Sequence, residues 1–206
     1  MNFAIIAQQL VSGMGSSLMI FVLTLLFSMP LGLLVAFGRM SKIKPLQAVI
    51  KVFIAILRGT PLMLQLLVVN FAPYYLFRIS LPRWYRFAAI IIGFSINYAA
   101  YFAEIYRSGI ESIPTGQYEA AQLLGYTRVQ TFFKIVLPQV VKIVLPSVTN
   151  EVITLVKDTS LVYSVSYIEM FAVAKQIAAA QTTVVPFFIA GIFYYVFNFL
   201  VAWIME

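Results

Sequence analysis

The sequence predicts an all-α, polytopic membrane protein with about five spanning helices. Three observations carry this. Hydrophobic residues make up 62% of the 206 positions and charged residues only 10%, a composition outside the range of soluble domains. Several apolar stretches are long enough to cross a bilayer. Aromatic and basic residues gather at the ends of those stretches, as they do at membrane–water boundaries.

A span needs about 20 mostly apolar residues to cross roughly 30 Å of hydrocarbon. Residues 13–38 form the first, ended by the basic cluster Arg39, Lys42 and Lys44 and by Pro45, which breaks a helix. Met1 and Asn2 lead directly into apolar residues with no positive start and no small-residue cleavage site, so the first helix is expected to be retained. Residues 46–76 are too long for one straight span and are interrupted at Arg58-Gly59-Thr60-Pro61. The pattern fits either an interfacial helix followed by a span over 61–78, or one tilted span broken there. Tyr74, Tyr75, Trp84 and Tyr85 mark a boundary on either side of a short loop. The third span is expected over 87–106. Residues 107–139 are polar enough to leave the membrane. The fourth span is expected over 140–156, where Pro146 is tolerable because neighbouring helices satisfy the freed carbonyl. A mixed segment, 157–183, precedes the fifth span over 184–204, with Trp203 as an interface anchor. No segment is long enough to fold alone in water, so residues 1–206 read as a single transmembrane domain.

The net charge of +7 comes from 14 basic residues lying mostly between apolar runs. No nucleic-acid-binding module is readable around them, and charge facing anionic lipid and setting topology accounts for them. With the N-terminus outside, eight basic residues fall on the cytoplasmic side (Arg39, Lys42, Lys44, Lys51, Arg107, Arg128, Lys134 and Lys142) and five outside (Arg78, Arg83, Arg86, Lys157 and Lys175). The positive-inside bias therefore favours N-out and C-in. The chain has no cysteine and no histidine, which excludes disulfides, thiolate nucleophiles, the common zinc sites and histidine-based triads.

The longest polar stretch contains Ile113-Pro114-Thr115-Gly116-Gln117-Tyr118-Glu119-Ala120-Ala121-Gln122-Leu123-Leu124-Gly125. Pro114 and Thr115 suit a helix start, Glu119 lies near the positive end of the dipole, and Gly125 suits a left-handed C-terminal cap, so a helix of about two turns is predicted. So short a helix is marginal in water alone and needs a packing partner, either another subunit or its own membrane domain.

Glu119-Ala120-Ala121 with Gly125, followed by Ile135-Val136-Leu137-Pro138, resembles the EAA loop of permease subunits in binding-protein-dependent ATP-binding cassette importers. Three further runs are similar to the polar amino acid branch of that family: Arg58-Gly59-Thr60-Pro61-Leu62 with Gln65, then Tyr101-x-Ala103-Glu104-Ile105-x-Arg107, then Lys157-Asp158-Thr159-Ser160-Leu161. They cover residues 58–161; Ser108-Gly109 departs from the paired glycines common there. The resemblance implies that the short helix is a coupling helix, with Gly116, Glu119, Ala120, Ala121 and Gly125 meeting a cytoplasmic ATPase. It also implies two membrane subunits, such as a second copy of this chain in a homodimer, two ATPase subunits that carry ATP-Mg, and an external amino-acid-binding protein. The expected location is a prokaryotic plasma membrane. The sequence has no Gly-Lys dipeptide and so no phosphate-binding loop of the G-x-x-x-x-G-K-[ST] type; no cofactor is expected on this chain and any ATP hydrolysis must lie elsewhere.

Ionisable and amide groups at membrane depth are costly and mark functional positions. Asn97, Tyr101, Glu104 and Ser108 fall at i, i+4, i+7 and i+11 on one face of the third span. Ser147, Asn150, Glu151, Thr154 and Asp158 form a similar stripe on the fourth. Facing each other, the stripes would line a water-accessible path, and Asn97, Tyr101, Glu104, Asn150, Thr154, Asp158 and Ser160 are expected to bind substrate. Ser108 and Ser147 are assigned to interhelical hydrogen bonding instead. A carboxylate in low dielectric needs a cation or donors. For Glu104 a substrate ammonium or basic side chain would serve, which leans toward basic amino acids; for Asp158 an internal ion pair is an equal alternative. A motor-independent carrier or channel for small polar solutes is the rival reading.

Overall fold

The computed structural model describes residues 3–205, and among them there is helix and no strand. Four helical stretches are long and apolar enough to cross a membrane: Phe3–Arg39, Arg83–Glu111, Arg128–Val165 and Val185–Met205. A bent pair, Lys44–Gly59 and Leu62–Phe77, makes a fifth crossing if counted as one broken span.

Helix α1 (Phe3–Arg39) starts ten residues before the expected span. Its early turns are held because Ile6 and Leu10 pack into a small cluster with Met170, Ala174, Ile177, Ile189 and Ala190. Leu10, Gly13, Ser17, Thr24, Ser28, Gly32 and Ala36 are buried along one face, a stripe of mostly small residues that lets membrane helices approach closely. At Gly32 an added Cβ would lie 2.8 Å from Phe102 Cβ and 3.1 Å from the Ala99 carbonyl oxygen.

Helices α2 (Lys44–Gly59) and α3 (Leu62–Phe77) meet at 108°. Thr60 and Pro61 both take extended backbone angles; a residue before proline is driven there by the ring's clash with its backbone. The helix is thus broken at Thr60 and Pro61, and the two arms do not form one straight span.

Helix α4 (Arg83–Glu111) is the central post, and Phe94, Tyr98, Ala99, Ala100 and Phe102 are all fully buried or within 2% of it. It continues five residues past the expected 106 before the chain turns into α5 (Thr115–Leu123). Gly125 follows at φ +78, the left-handed conformation glycine adopts without a side-chain clash.

The fourth crossing begins earlier than expected. Thr127 caps α6 (Arg128–Thr131) through a reciprocal pair of hydrogen bonds with Gln130. One π-helical turn, Phe132–Val136, leads into α7 (Leu137–Asp158), and a 3-10 segment, Thr159–Val165, continues it. Asp158, at the end of α7, lies opposite Tyr98, near the middle of α4. Helices α8 (Met170–Gln181) and α9 (Val185–Met205) close the bundle against α1 and α7.

Candidate functional site

The polar faces of α4 and α7 meet. At one end the helices are brought close by Gly109, where an added Cβ would strike the Val144 side chain. Further along, the gap opens into two adjoining cavities. The first, about 350 Å³, is lined by Arg58, Tyr101, Glu104, Arg107, Ser147 and Glu151, with Ser108 also on its wall. The second, about 370 Å³, is lined by Thr60, Asn97, Tyr98, Thr154, Asp158 and Leu161. Tyr101 and Glu151 border both. Each volume lies at the small end of the range for small-molecule pockets.

Asn97 is 3% exposed. Its amide donates to Gln65 Oε1 at 2.9 Å and to the Leu57 carbonyl at 3.3 Å. Gln65 in turn donates to the carbonyls of Leu57 (2.8 Å) and Thr60 (3.1 Å) and to Thr60 Oγ1 (2.8 Å). Two side-chain amides therefore satisfy carbonyls freed by the break in the helix, the condition for irregular backbone at membrane depth.

Glu104 is fully engaged within the chain. Its Oε2 accepts from Arg107 Nη2 at 2.6 Å and Nε at 3.1 Å, and Arg39 Nε lies 3.9 Å from Oε1. Arg107 also binds Glu111. The carboxylate that the sequence offered to a substrate cation already has two guanidinium partners. Arg58 places its guanidinium 5.2 Å from the centre of the Tyr101 ring.

Asp158 makes no ion pair with the described residues; its Oδ2 accepts a 2.7 Å hydrogen bond from the Tyr98 hydroxyl. Thr154 lines the second cavity while its hydroxyl donates back to the Asn150 carbonyl at 2.9 Å. Asn150 and Ser160 line neither cavity. At about 100° per residue, Ser147, Glu151, Thr154 and Asp158 share one line on α7, and Asn150 is turned roughly 60° off it. Ser160 lies past the end of α7, bonded to the Lys157 carbonyl at 2.8 Å. Ser108 and Ser147, expected to bond between helices, border the first cavity.

Glu151 belongs to the α7 stripe but is not among the residues expected from the sequence to bind substrate. Partly buried on both cavities, it makes no hydrogen bond and no ion pair with the described residues. The available signal was its spacing: Glu151 is i+4 from Ser147 and i−7 from Asp158, the same register as Tyr101 in Asn97, Tyr101, Glu104 and Ser108.

On α5, Gly116, Glu119 and Ala120 are exposed, whereas Ala121 is 1% exposed and faces its own chain. Leu123 and Leu124, at 89% and 75% exposure, leave an apolar tip beside them. Among the described residues no group of acidic side chains could hold a metal ion.

A helical membrane bundle with a broken second crossing, a polar cleft between its third and fourth, and a protruding short helix is the architecture of a transporter membrane subunit. Residues 28–206 match the family model described as binding-protein-dependent transport system inner membrane component, and the chain belongs to that family. It is 37% identical over 183 residues to the L-cystine transport system permease protein TcyB of Bacillus subtilis (strain 168), covering 88% of this chain and 76% of that relative. It is 32% identical over 196 residues to the arginine transport system permease protein ArtQ of the same organism, covering 95% of this chain and 88% of the relative. Among solved structures, a crystal structure of an amino acid ABC transporter with histidines superposes with a TM-score of 0.87 at 29% identity, over 100% of this chain and 96% of the other. An inward-facing MetNI methionine ABC transporter matches the fold at 0.76 and 19% identity, over 100% and 96% of the two chains.

Proposed function

We propose that this chain is the membrane-spanning permease subunit of an ATP-driven importer of polar amino acids in a prokaryotic plasma membrane. Family membership and the amino acid systems named for its relatives support the class. The observation that carries the site is Glu151, a carboxylate with no hydrogen bond or ion pair among the described residues, at the junction of two cavities and across the first of them from Arg58. A carboxylate at such depth requires a cation, and the ammonium or basic side chain of an amino acid supplies one.

In this reading Glu151, Tyr101, Thr154 and Asp158 face the substrate. Asn97 holds the broken turn, and Glu104 belongs to the Arg39–Arg107 ion cluster at the cavity's edge. The chain works as a homodimer with two ATP-binding cassette subunits, which bind ATP-Mg, and with an external amino-acid-binding protein that delivers substrate. Helix α5, with Gly116, Glu119 and Ala120 outward and Gly125 closing it, transmits ATPase closure to the bundle.

The test is ATP-dependent uptake into proteoliposomes, comparing arginine with glutamine in wild type and Glu151→Gln. The substitution is expected to raise KM for arginine by about tenfold or more, the loss of one charge-assisted contact, and to change glutamine less. Unchanged KM for both would remove Glu151 from the site. Uptake by the chain without its ATPase would make it a motor-independent carrier.

A further inference from the structure

At the end of the bundle away from α5 lies a third and larger cavity, about 1080 Å³, walled by α3, α4 and the segment after Asp158. Asn70, Tyr74, Arg83, Tyr85, Arg86 and Tyr167 contribute to it. These are the walls of the inner cleft continued: Asn70 lies eight residues beyond Leu62 on α3 and Arg86 eleven before Asn97 on α4. At 1.5 Å per residue the vestibule sits about 12–16 Å farther along the same path. Between the two, Leu66, Ile90, Phe94, Val162 and Val165 pack in one apolar cluster, each no more than 1% exposed. The path is therefore closed by a dry plug, with a chamber on either side.

The two chambers differ in charge. The inner one holds both signs, Glu104, Glu151 and Asp158 with Arg58 and Arg107. No carboxylate lines the vestibule, while Arg83 and Arg86 do, and neither is in an ion pair with the described residues. Among the described residues the Arg86 side chain donates to a neutral acceptor, the Ser166 carbonyl at 3.1 Å. Glu169, three residues on, is fully buried and satisfied by four donors of its own. Asn70 adds a buried amide oxygen with no donor.

We propose that this vestibule is a receiving site for the α-carboxylate of an arriving amino acid, held by Arg83 and Arg86 before the apolar plug opens. The inference rests on the importer reading above and extends it to a second site. A guanidinium presents a planar fork that matches a carboxylate, and a charge-assisted bond is roughly twice as strong as the carbonyl contact Arg86 makes here. Cationic groups in a cleft with low-dielectric walls also raise the local concentration of anionic groups. Because every α-amino acid carries the same carboxylate, the vestibule admits the class, and discrimination between side chains falls to the inner cleft at Glu151.

Trp84, between Arg83 and Tyr85, reports on this site. With Trp203→Phe it becomes the sole tryptophan of the chain. Titrating the detergent-purified chain with L-arginine and with its decarboxylated amine should quench Trp84 at an amino acid concentration about tenfold lower than the amine requires. Arg86→Gln should abolish that difference and Arg86→Lys should keep part of it. Equal quenching by acid and amine, or no effect of Arg86→Gln, overturns the proposal. In the reconstituted assembly, Arg86→Gln should lower uptake of every transported amino acid by a similar factor, with the half-saturating concentration of binding protein unchanged. A rise in that concentration at full maximal rate would make Arg86 a docking contact and overturn the receiving site. Absence of ATP-dependent uptake in the wild-type assembly would remove the importer reading, and the Trp84 titration would still decide whether the vestibule prefers a carboxylate.

Discussion

The Tyr98 hydroxyl donates to Asp158 Oδ2 at 2.7 Å, tying the middle of α4 to the point where α7 passes into its 3-10 segment. Tyr98 is itself 2% exposed. Tyr98→Phe leaves the carboxylate without its donor and is expected to cost about 1–3 kcal/mol, the range for leaving a buried acceptor unsatisfied. A double-mutant cycle with Asp158→Asn, read by thermal unfolding in detergent, should show coupling of that order. Simple additivity would mean the contact contributes nothing.

Gly13 and Gly15 offer a matched pair on one helix. A Cβ at Gly13 would lie 2.8 Å from Met170 Cα, whereas at Gly15 it would meet nothing within 4 Å. Backbone cannot yield as a side-chain tip does. Gly13→Ala is expected to destabilise the junction of α1 and α8 by about 1–3 kcal/mol, and Gly15→Ala to be neutral or slightly stabilising through helix propensity. Equal melting temperatures for the two variants would contradict the close approach.

Glu169 caps α8, accepting from the Phe171 and Ala172 amides at 2.7 Å each, from Tyr194 at 3.1 Å and from Ser17 at 3.2 Å. Burial pushes its carboxyl above the usual glutamate range, and these donors offset only part of the effect. The unfolded group titrates near about 4.3. The stabilising contribution of the protonated folded form is therefore complete below that pH and is lost as pH rises through the higher folded value. Thermal unfolding of wild type should show a downward step across this window that Glu169→Gln removes; identical pH profiles would show that Glu169 does not titrate there.

Neighbouring alanines on α5 should behave differently. Ala120 is exposed and Ala121 buried. Ala120→Arg is expected to leave unfolding unchanged and to reduce coupled uptake by about tenfold, the effect of an interface change costing roughly 1.4 kcal/mol. Ala121→Leu should destabilise the chain itself by about 1–3 kcal/mol. Normal coupled transport in the first variant would end the assignment of α5 as the transmitting helix.

The register of the polar residues was legible along the chain because a helix repeats every 3.6 residues, so spacing alone says which side chains share a face. Asn97, Tyr101, Glu104 and Ser108 could be grouped that way, as could Glu151 with Asp158. The local turns were legible too: Gly125 sits at φ +78, and the chain breaks between Gly59 and Leu62, because those signals lie within a few neighbouring residues.

What each face meets was settled by tertiary structure. Arg39 and Glu104 are 65 positions apart and Ser17 and Glu169 are 152 apart, so no local pattern could pair them. Periodicity placed Glu104 and Glu151 equally well inside the bundle. Arg107, three residues on in the same helix, is a local partner of Glu104, but only the packing of α1 beside α4 added Arg39, and no guanidinium among the described residues comes within ion-pair distance of Glu151. A carboxylate's role at membrane depth depends on which cations lie within a few ångströms, and that proximity is a property of how the helices are assembled in space.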